Sequence, residues 1–573
     1  MFLLGKTEQG GNHLKHTYVY DHYYKYDEIT SVLKKYAEEY PAYTELDSIG
    51  QTPEGREQWI LKVTNKQTGG FEEKPALYVE GNIHAGEVTG SMTVMYLLDT
   101  ILSNTDDASI KHLLSHYTLY AVPRVSPDGS EYYLTTPDTV RSAPRLYPFS
   151  QPQPGVQRKD MDGDGMIRQM RVKTPYGAWK ASEKDPRVMT RRQPDDLFGD
   201  FYDLYDEGEV LDYDGLNIEA APHPFGNDFN RNYPIGWQTE DVERGSGDYP
   251  LSNPETKANA DFLIAHPNVC CVIDMHTSGG QNLYTPGFKS GKAAIKQDID
   301  LYKAIGKIAN QENGYPVLNL YDQYMPQSSP QTCGGFDDFC HFVLGIPCMT
   351  IECWDLAERA GIEPSYPPRE DKSDEELENE MCAMVKWIDE NVGPDHYMAW
   401  KEFDHPQLGK VELGGCEAKF VSQNPPIPYL EQEVAKHTRF MLRLMKLLPA
   451  LSIDEVKTTQ LGEDIFKIEA VAGNRGYMPT YVFKEGMKSK RMKGVSLEMT
   501  GVEVLEGAVK ADLGHLEGHS GLYNSGWGIT MATGRRAPLW KKASWVVRGK
   551  KGDVFEIICD SGKAGKVVAS GIL

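Results

Sequence analysis

Over its first 400 residues the chain alternates short β-branched apolar runs with longer helical patterns, and this confines it to an α/β sheet layered with helices. Candidate strands cover 58–63, 76–83, 117–125, 269–275 and 348–354. Candidate helices cover 26–39, 88–102, 254–265, 298–312 and 373–392. The helix at 254 opens with Ser252-Asn253-Pro254-Glu255, a capping residue followed by proline at the first helical position.

Two stretches break the rhythm. Residues 146–224 are rich in Pro, Asp, Gly and Arg and read as a long insertion decorating a first domain of residues 1–400. Residues 401–451 read as a loop-rich linker followed by an amphipathic helix at 429–448, with Leu430, Val434, Thr438, Met441 and Met445 along one side. From 452 to 573 short alternating runs separated by glycines predict a small β-sandwich.

A chain of 573 residues is too long for one ordinary core, which agrees with several domains. A net charge of −23 disfavours nucleic acid and anionic membrane as partners. The nine cysteines are odd in number and include adjacent Cys270 and Cys271 in an apolar run, so reduced, buried thiols are expected rather than a disulfide framework. No run approaches the roughly 18 apolar residues of a membrane span, and residues 1–11 lack a basic segment leading into an apolar one. A soluble, cytoplasmic protein is the expectation.

Three buried strands end in chemistry. The run 76–87 ends in His84-Ala-Gly-Glu87, the run 269–276 ends in His276, and the run 348–352 ends in Glu352. Ligands collect at the carboxyl ends of strands in an open α/β sheet. Neutral imidazole and carboxylate suit Zn²⁺, whose catalytic sites need three protein ligands and an open position. His-x-x-Glu alone is a weak signal, read as readily as a hydrogen-bonded pair at a helix start. Four metal-type or acid-base side chains at three strand ends are hard to explain as packing.

Further motifs carry a resemblance. Ser126-Pro-Asp-Gly129, Asp228-Phe-Asn230-Arg231-Asn232 and Gly334-Gly-Phe-Asp337-Asp338 follow in order, the last reaching Glu352 at a fixed interval. With Glu54-Gly-Arg56 upstream, the region from about residue 26 to 391 resembles the M14 zinc carboxypeptidases, the family of the pancreatic enzymes. The resemblance implies a mixed, mostly parallel sheet flanked by helices, to which the chain adds its small all-β C-terminal domain. It implies that His84, Glu87 and His276 ligate Zn²⁺ and that Glu352 is the general base. Arg141 would polarise the scissile carbonyl, with Arg145 as its rival. Asn230 and Arg231 would grip the terminal carboxylate of a peptide substrate, and Asp228 would orient His84.

The pattern also departs from the family. The active-site tyrosine of the pancreatic enzymes has no counterpart in 327–333, leaving Tyr321 and Tyr324 as alternatives. Asp337 either selects a basic terminal residue or caps a helix with Asp338. Asp160-Met-Asp162-Gly-Asp164-Gly165 copies the first half of a calcium loop, but Arg171 stands where its final acid belongs; Ca²⁺ there competes with plain Asx-turn chemistry. Carboxypeptidase action is the leading expectation. Hydrolysis of cell-wall or γ-glutamyl peptides, or peptide binding without turnover, are the alternatives.

Overall fold

The computed structural model describes residues 14–573 apart from 327, 330, 491 and 522–537; the reading of the first eleven residues therefore lies outside the described residues. The α/β part is built on eight strands: β1 Thr44–Gln51, β2 Glu57–Val63, β3 Ala76–Gly81, β4 Thr118–Val122, β5 Val269–Thr277, β6 Gln281–Tyr284, β7 Val317–Asn319 and β8 Cys348–Cys353. Their spatial order is β1-β2-β4-β3-β5-β8-β6-β7. The central run β4-β3-β5-β8 is parallel throughout, and antiparallel pairs flank it. β3 and β5 are buried along their whole lengths, as strands covered on both faces must be.

The helix Val88–Leu102 is buried at every residue. A helix buried all round has no face to offer water, so it lies between the sheet and further helices. It presses closely on β5: a Cβ on Gly90 would stand 2.6 Å from the Met275 carbonyl oxygen, and only glycine permits that approach. The helix Ile427–Met445 covers the next layer, with Leu430, Val434, Phe440, Met441 and Leu444 in the same core as Met92 and Leu98. The expected linker helix thus belongs to the main core.

The loop expected before that helix is instead a hairpin, Tyr397–His405 with Gly409–Cys416. The hairpin pairs with the insertion strand Gln169–Lys173, giving a six-stranded sheet made from both stretches. Arg171 locks the two together. Its guanidinium binds Glu412 through two nitrogens and sits over the Tyr202 and Trp400 rings. Partners some 240 residues apart leave no local trace in sequence.

Residues beyond 450 form two four-stranded antiparallel sheets around a shared core of Ile468, Leu497, Trp545, Val547, Phe555 and Ile557. A segment of this part crosses to the α/β core, where Met478, Val482 and Phe483 are buried. All nine cysteines are free thiols. Among the described residues no helix is long and apolar enough to cross a membrane.

Candidate metal centre

The three central strands bring His84, Glu87 and His276 together. β3 ends before Asn82, which takes a left-handed conformation at φ 65°. Its side-chain amide donates to the carbonyls of His84 (2.5 Å) and Ala85 (3.0 Å), so the turn presenting His84 is tied to its own backbone. Glu87 stands at the N-cap of the Val88 helix. His276 occupies the carboxyl end of β5, and Glu352 lies in register beside it on β8.

Glu87 is the hub. His84 Nδ1 lies 2.8 Å from its Oε1, and His276 Nδ1 lies 2.8 Å from its Oε2. The opposite ring nitrogens are held from behind. His84 Nε2 meets Asp228 Oδ1 at 3.1 Å, and His276 Nε2 meets Asp274 Oδ2 at 2.7 Å. A ring that gives its Nε2–H to a carboxylate turns its Nδ1 lone pair toward the common centre, the arrangement that imidazole ligands of zinc usually show. All five side chains are almost wholly buried.

The electrostatics point the same way. Burial opposes charge on His276, yet Asp274 and then Glu87 hold it well above its ordinary range. Burial likewise raises Asp228, but Arg141 and His84 together pull it well below. Carboxylates converging on two imidazole nitrogens demand positive charge, and a divalent cation meets that demand as a proton does. One donor atom from each of His84, Glu87 and His276 lies within 4.8 Å of the others, so the residues fit a zinc ion.

Glu352 is partly buried. Its Oε2 is shut away from water without a hydrogen-bond partner. Burial raises its carboxyl to about 8, with Glu87 adding to the rise and His276 and Arg141 opposing it. Tyr324 ends the turn Leu320–Tyr324 that follows β7 and lies within electrostatic reach of Glu352, Glu87, Arg141 and Arg231. The negative charge of Glu352, followed by burial, holds its phenol above the ordinary range. Of the two tyrosines left open by the sequence, Tyr324 is therefore taken as the one beside Glu352.

Arg141 and Arg145 are separated by their partners. Arg141 Nε donates to Asp228 Oδ2 at 2.8 Å and its Nη1 lies 3.7 Å from Glu87, which keeps it at the centre. Arg145 is bound through two nitrogens to buried Glu255 and also to Asn253, away from it. Asn230 accepts from the Phe336 amide at 2.8 Å, joining its loop to the Phe336–Phe339 turn that carries Asp337. Arg231 is anchored by Glu243 at 3.0 Å, a partner the motif does not reveal. Asp337 is buried, which raises its carboxyl to about 6. It accepts from the Asp338 amide at 2.8 Å, and no ion pair engages it among the described residues. Asp338 caps the Gly287 and Phe288 amides.

The three-aspartate calcium reading is not assembled. The Asp164 carboxylate is taken by Arg168, and the carboxylates of Asp160 and Asp162 lie instead within 4.8 Å of that of buried Glu207. Asp160 accepts from the Gly163 and Gly165 amides, and Asp162 from the Asp164 amide, which is Asx-turn chemistry. Asp274 and Glu207 escaped the sequence reading. For Asp274 a signal existed, since residues two apart on a strand share a face.

A model of the zinc carboxypeptidase family, Peptidase_M14, matches residues 29–366, and one for a domain of unknown function, DUF8731, matches 450–571. Carboxypeptidase B of Astacus astacus is 34% identical over 113 residues, covering 20% of this chain and 35% of that protein. The zinc carboxypeptidase of Simulium vittatum is 34% identical over 114 residues, covering 20% and 36%. The matches thus span about a third of the length of these curated relatives. Among solved structures, thrombin activatable fibrinolysis inhibitor shares 20% identity at a TM-score of 0.37, covering 66% of this chain and 78% of that chain.

Proposed function

The chain belongs to the zinc carboxypeptidase family, and from that premise we propose that it hydrolyses the C-terminal peptide bond of a peptide, with His84, Glu87 and His276 holding a zinc ion. The observation carrying this reading is the register of Glu352 beside His276, with one carboxylate oxygen buried and unpartnered next to the donor cluster. A bound zinc supplies Lewis acidity toward a carbonyl and acidifies water.

Glu352 is the proton carrier. With one oxygen buried and unpartnered beside the donor cluster, its carboxylate can take a proton from the attacking water and return it to the departing amine. Arg141, fixed by Asp228 and partly open to solvent, offers its free guanidinium edge to the oxygen on which charge develops. Arg231 and Asn230 receive the terminal carboxylate. Glu243 and the Asn230 carbonyl hold the Arg231 fork in place, so little freedom is lost on binding. Asp337 gives a preference for a basic terminal side chain, because its buried carboxyl has no ion-pair partner among the described residues.

The test pairs metal analysis with a substrate comparison. Parent protein and Glu352→Gln should both bind zinc at the centre, with peptide cleavage in the parent alone. Peptides with free C-termini should be cleaved and their amidated counterparts spared. Equal cleavage of both would remove the role given to Arg231 and with it the carboxypeptidase reading.

A further inference from the structure

A second set of donors lies at the seam where the 478–486 segment of the C-terminal part meets the α/β core. Asp298 stands in the first turn of the helix Lys296–Asn313, His341 in the turn Cys340–Leu344, and Glu485 just before the turn Gly486–Lys488. One donor atom from each lies within 4.8 Å of the others. Asp298 is 2% exposed and His341 fully buried.

His341 makes this more than an acidic cluster. Its Nε2 is buried with no hydrogen-bond partner. Its Nδ1 lies 2.5 Å from Thr285 Oγ1, and that hydroxyl donates onward to Tyr302 at 3.1 Å. With the Thr285 proton committed to Tyr302, His341 Nδ1–H is the donor to Thr285 Oγ1, and Nε2 carries an unprotonated lone pair. A buried lone pair with nothing to accept from is costly unless something electrophilic meets it.

The carboxylates have spare capacity to join it. Asp298 accepts the Lys484 amide at 2.7 Å and the Glu485 amide at 2.9 Å, one on each oxygen, leaving a second lone pair on each. Both Glu485 oxygens accept from the mostly exposed Lys488 at 2.7 Å, and each keeps a second lone pair. The backbone is set for close docking here: a Cβ on Gly345 would stand 2.2 Å from the Gly486 Cα.

We propose that Asp298, His341 and Glu485 form a second divalent-cation site, of the class that takes zinc, which pins the 478–486 segment onto the α/β core. One neutral imidazole and two carboxylates make a donor set suited to such a cation, with a fourth position left for water. A cation bridging elements from both parts stabilises their contact, since binding only the docked form favours it.

The test uses the full chain, stripped with a chelator and reloaded with Zn²⁺, with bound metal counted per chain. The parent is expected to hold one more zinc than either His341→Ala or Glu485→Ala, the second variant guarding against a folding defect in the first. In the parent, the equivalent of Zn²⁺ that fills this site should also raise the thermal midpoint, and that rise should be missing from both variants. Zinc lost in His276→Ala reports the other centre, so either assignment can fail without the other. Parent and both seam variants binding equal amounts of zinc would overturn the proposal.

Discussion

His276 gives its Nε2–H to Asp274, two residues earlier on the same strand, across 2.7 Å. The period of a strand puts both side chains on one face, so the donor ring and the carboxylate that aims it are a single local unit. Replacing Asp274 by Asn leaves the shape intact but removes the charge that favours a donating Nε2–H. Zinc affinity should fall about 10–100-fold, as for other carboxylates behind metal-bound imidazoles. A competition titration against a chelator measures it, and an unchanged affinity would sink the role.

Glu80 stands in register with Asp274 on β3. Burial, reinforced by the Asp274 charge, holds its carboxyl well above the ordinary range, which favours the protonated form in the folded protein. Glu80→Gln should therefore change stability by less than about 1 kcal/mol, because an amide replaces an uncharged acid of the same shape. Denaturant melts of the two proteins decide it.

Glu352 yields a pH signature in metal-stripped protein. Folded, its carboxyl keeps a proton up to about 8, while the unfolded chain releases it near 4.5. Its contribution to stability is complete below 4.5 and is lost as pH rises through about 8. Between those limits the parent should lose up to ~1.4 kcal/mol per pH unit relative to Glu352→Gln, which has no such proton. Parallel stability curves for the two proteins from pH 5 to pH 8 would contradict the assignment.

Arg141 and Arg145 should fail in different ways. Arg141→Ala removes a charged donor from the centre and should lower kcat about 10²–10³-fold with the fold intact. Arg145→Ala strands the buried carboxylate of Glu255 and should cost about 3 kcal/mol of stability. Kinetics and melts on both variants separate the roles.

Tyr324→Phe keeps the ring packed near Leu283 and Leu320 but deletes the hydroxyl that senses Glu352. Peptidase activity should drop about 10-fold or more, and the pH profile assigned to Glu352 should shift. Tyr321→Phe serves as the control and should match the parent.

Strands β2, β3, β4, β5 and β8 and the longer helices could be read directly, because apolar runs and 3.6-residue periodicity are local properties of the chain, whereas β1, β6 and β7 went unread. The helices Tyr26–Glu39, Val88–Leu102 and Pro254–Ala265 agree with their expected bounds to the residue. The hairpin Tyr397–His405 with Gly409–Cys416 escaped notice because its stabilising partner is the insertion, far away in sequence. A strand that is half polar and paired at a distance carries little signal of its own.

The donor residues at three strand ends were visible in the sequence for the same local reason: each buried strand carries its chemistry at its own carboxyl end. What needed the folded chain was every choice between equals. Arg141 lies at the centre because Asp228 reaches it, and Arg145 lies elsewhere because Glu255 does. Tyr324 feels the charge of Glu352, Asp164 is taken by Arg168, and Glu207 replaces it beside Asp160. Residue type and spacing select which groups can do chemistry. Which of them meet depends on pairing across long loops, where a carboxylate settles beside whichever cation or amide the packing brings within about 3 Å.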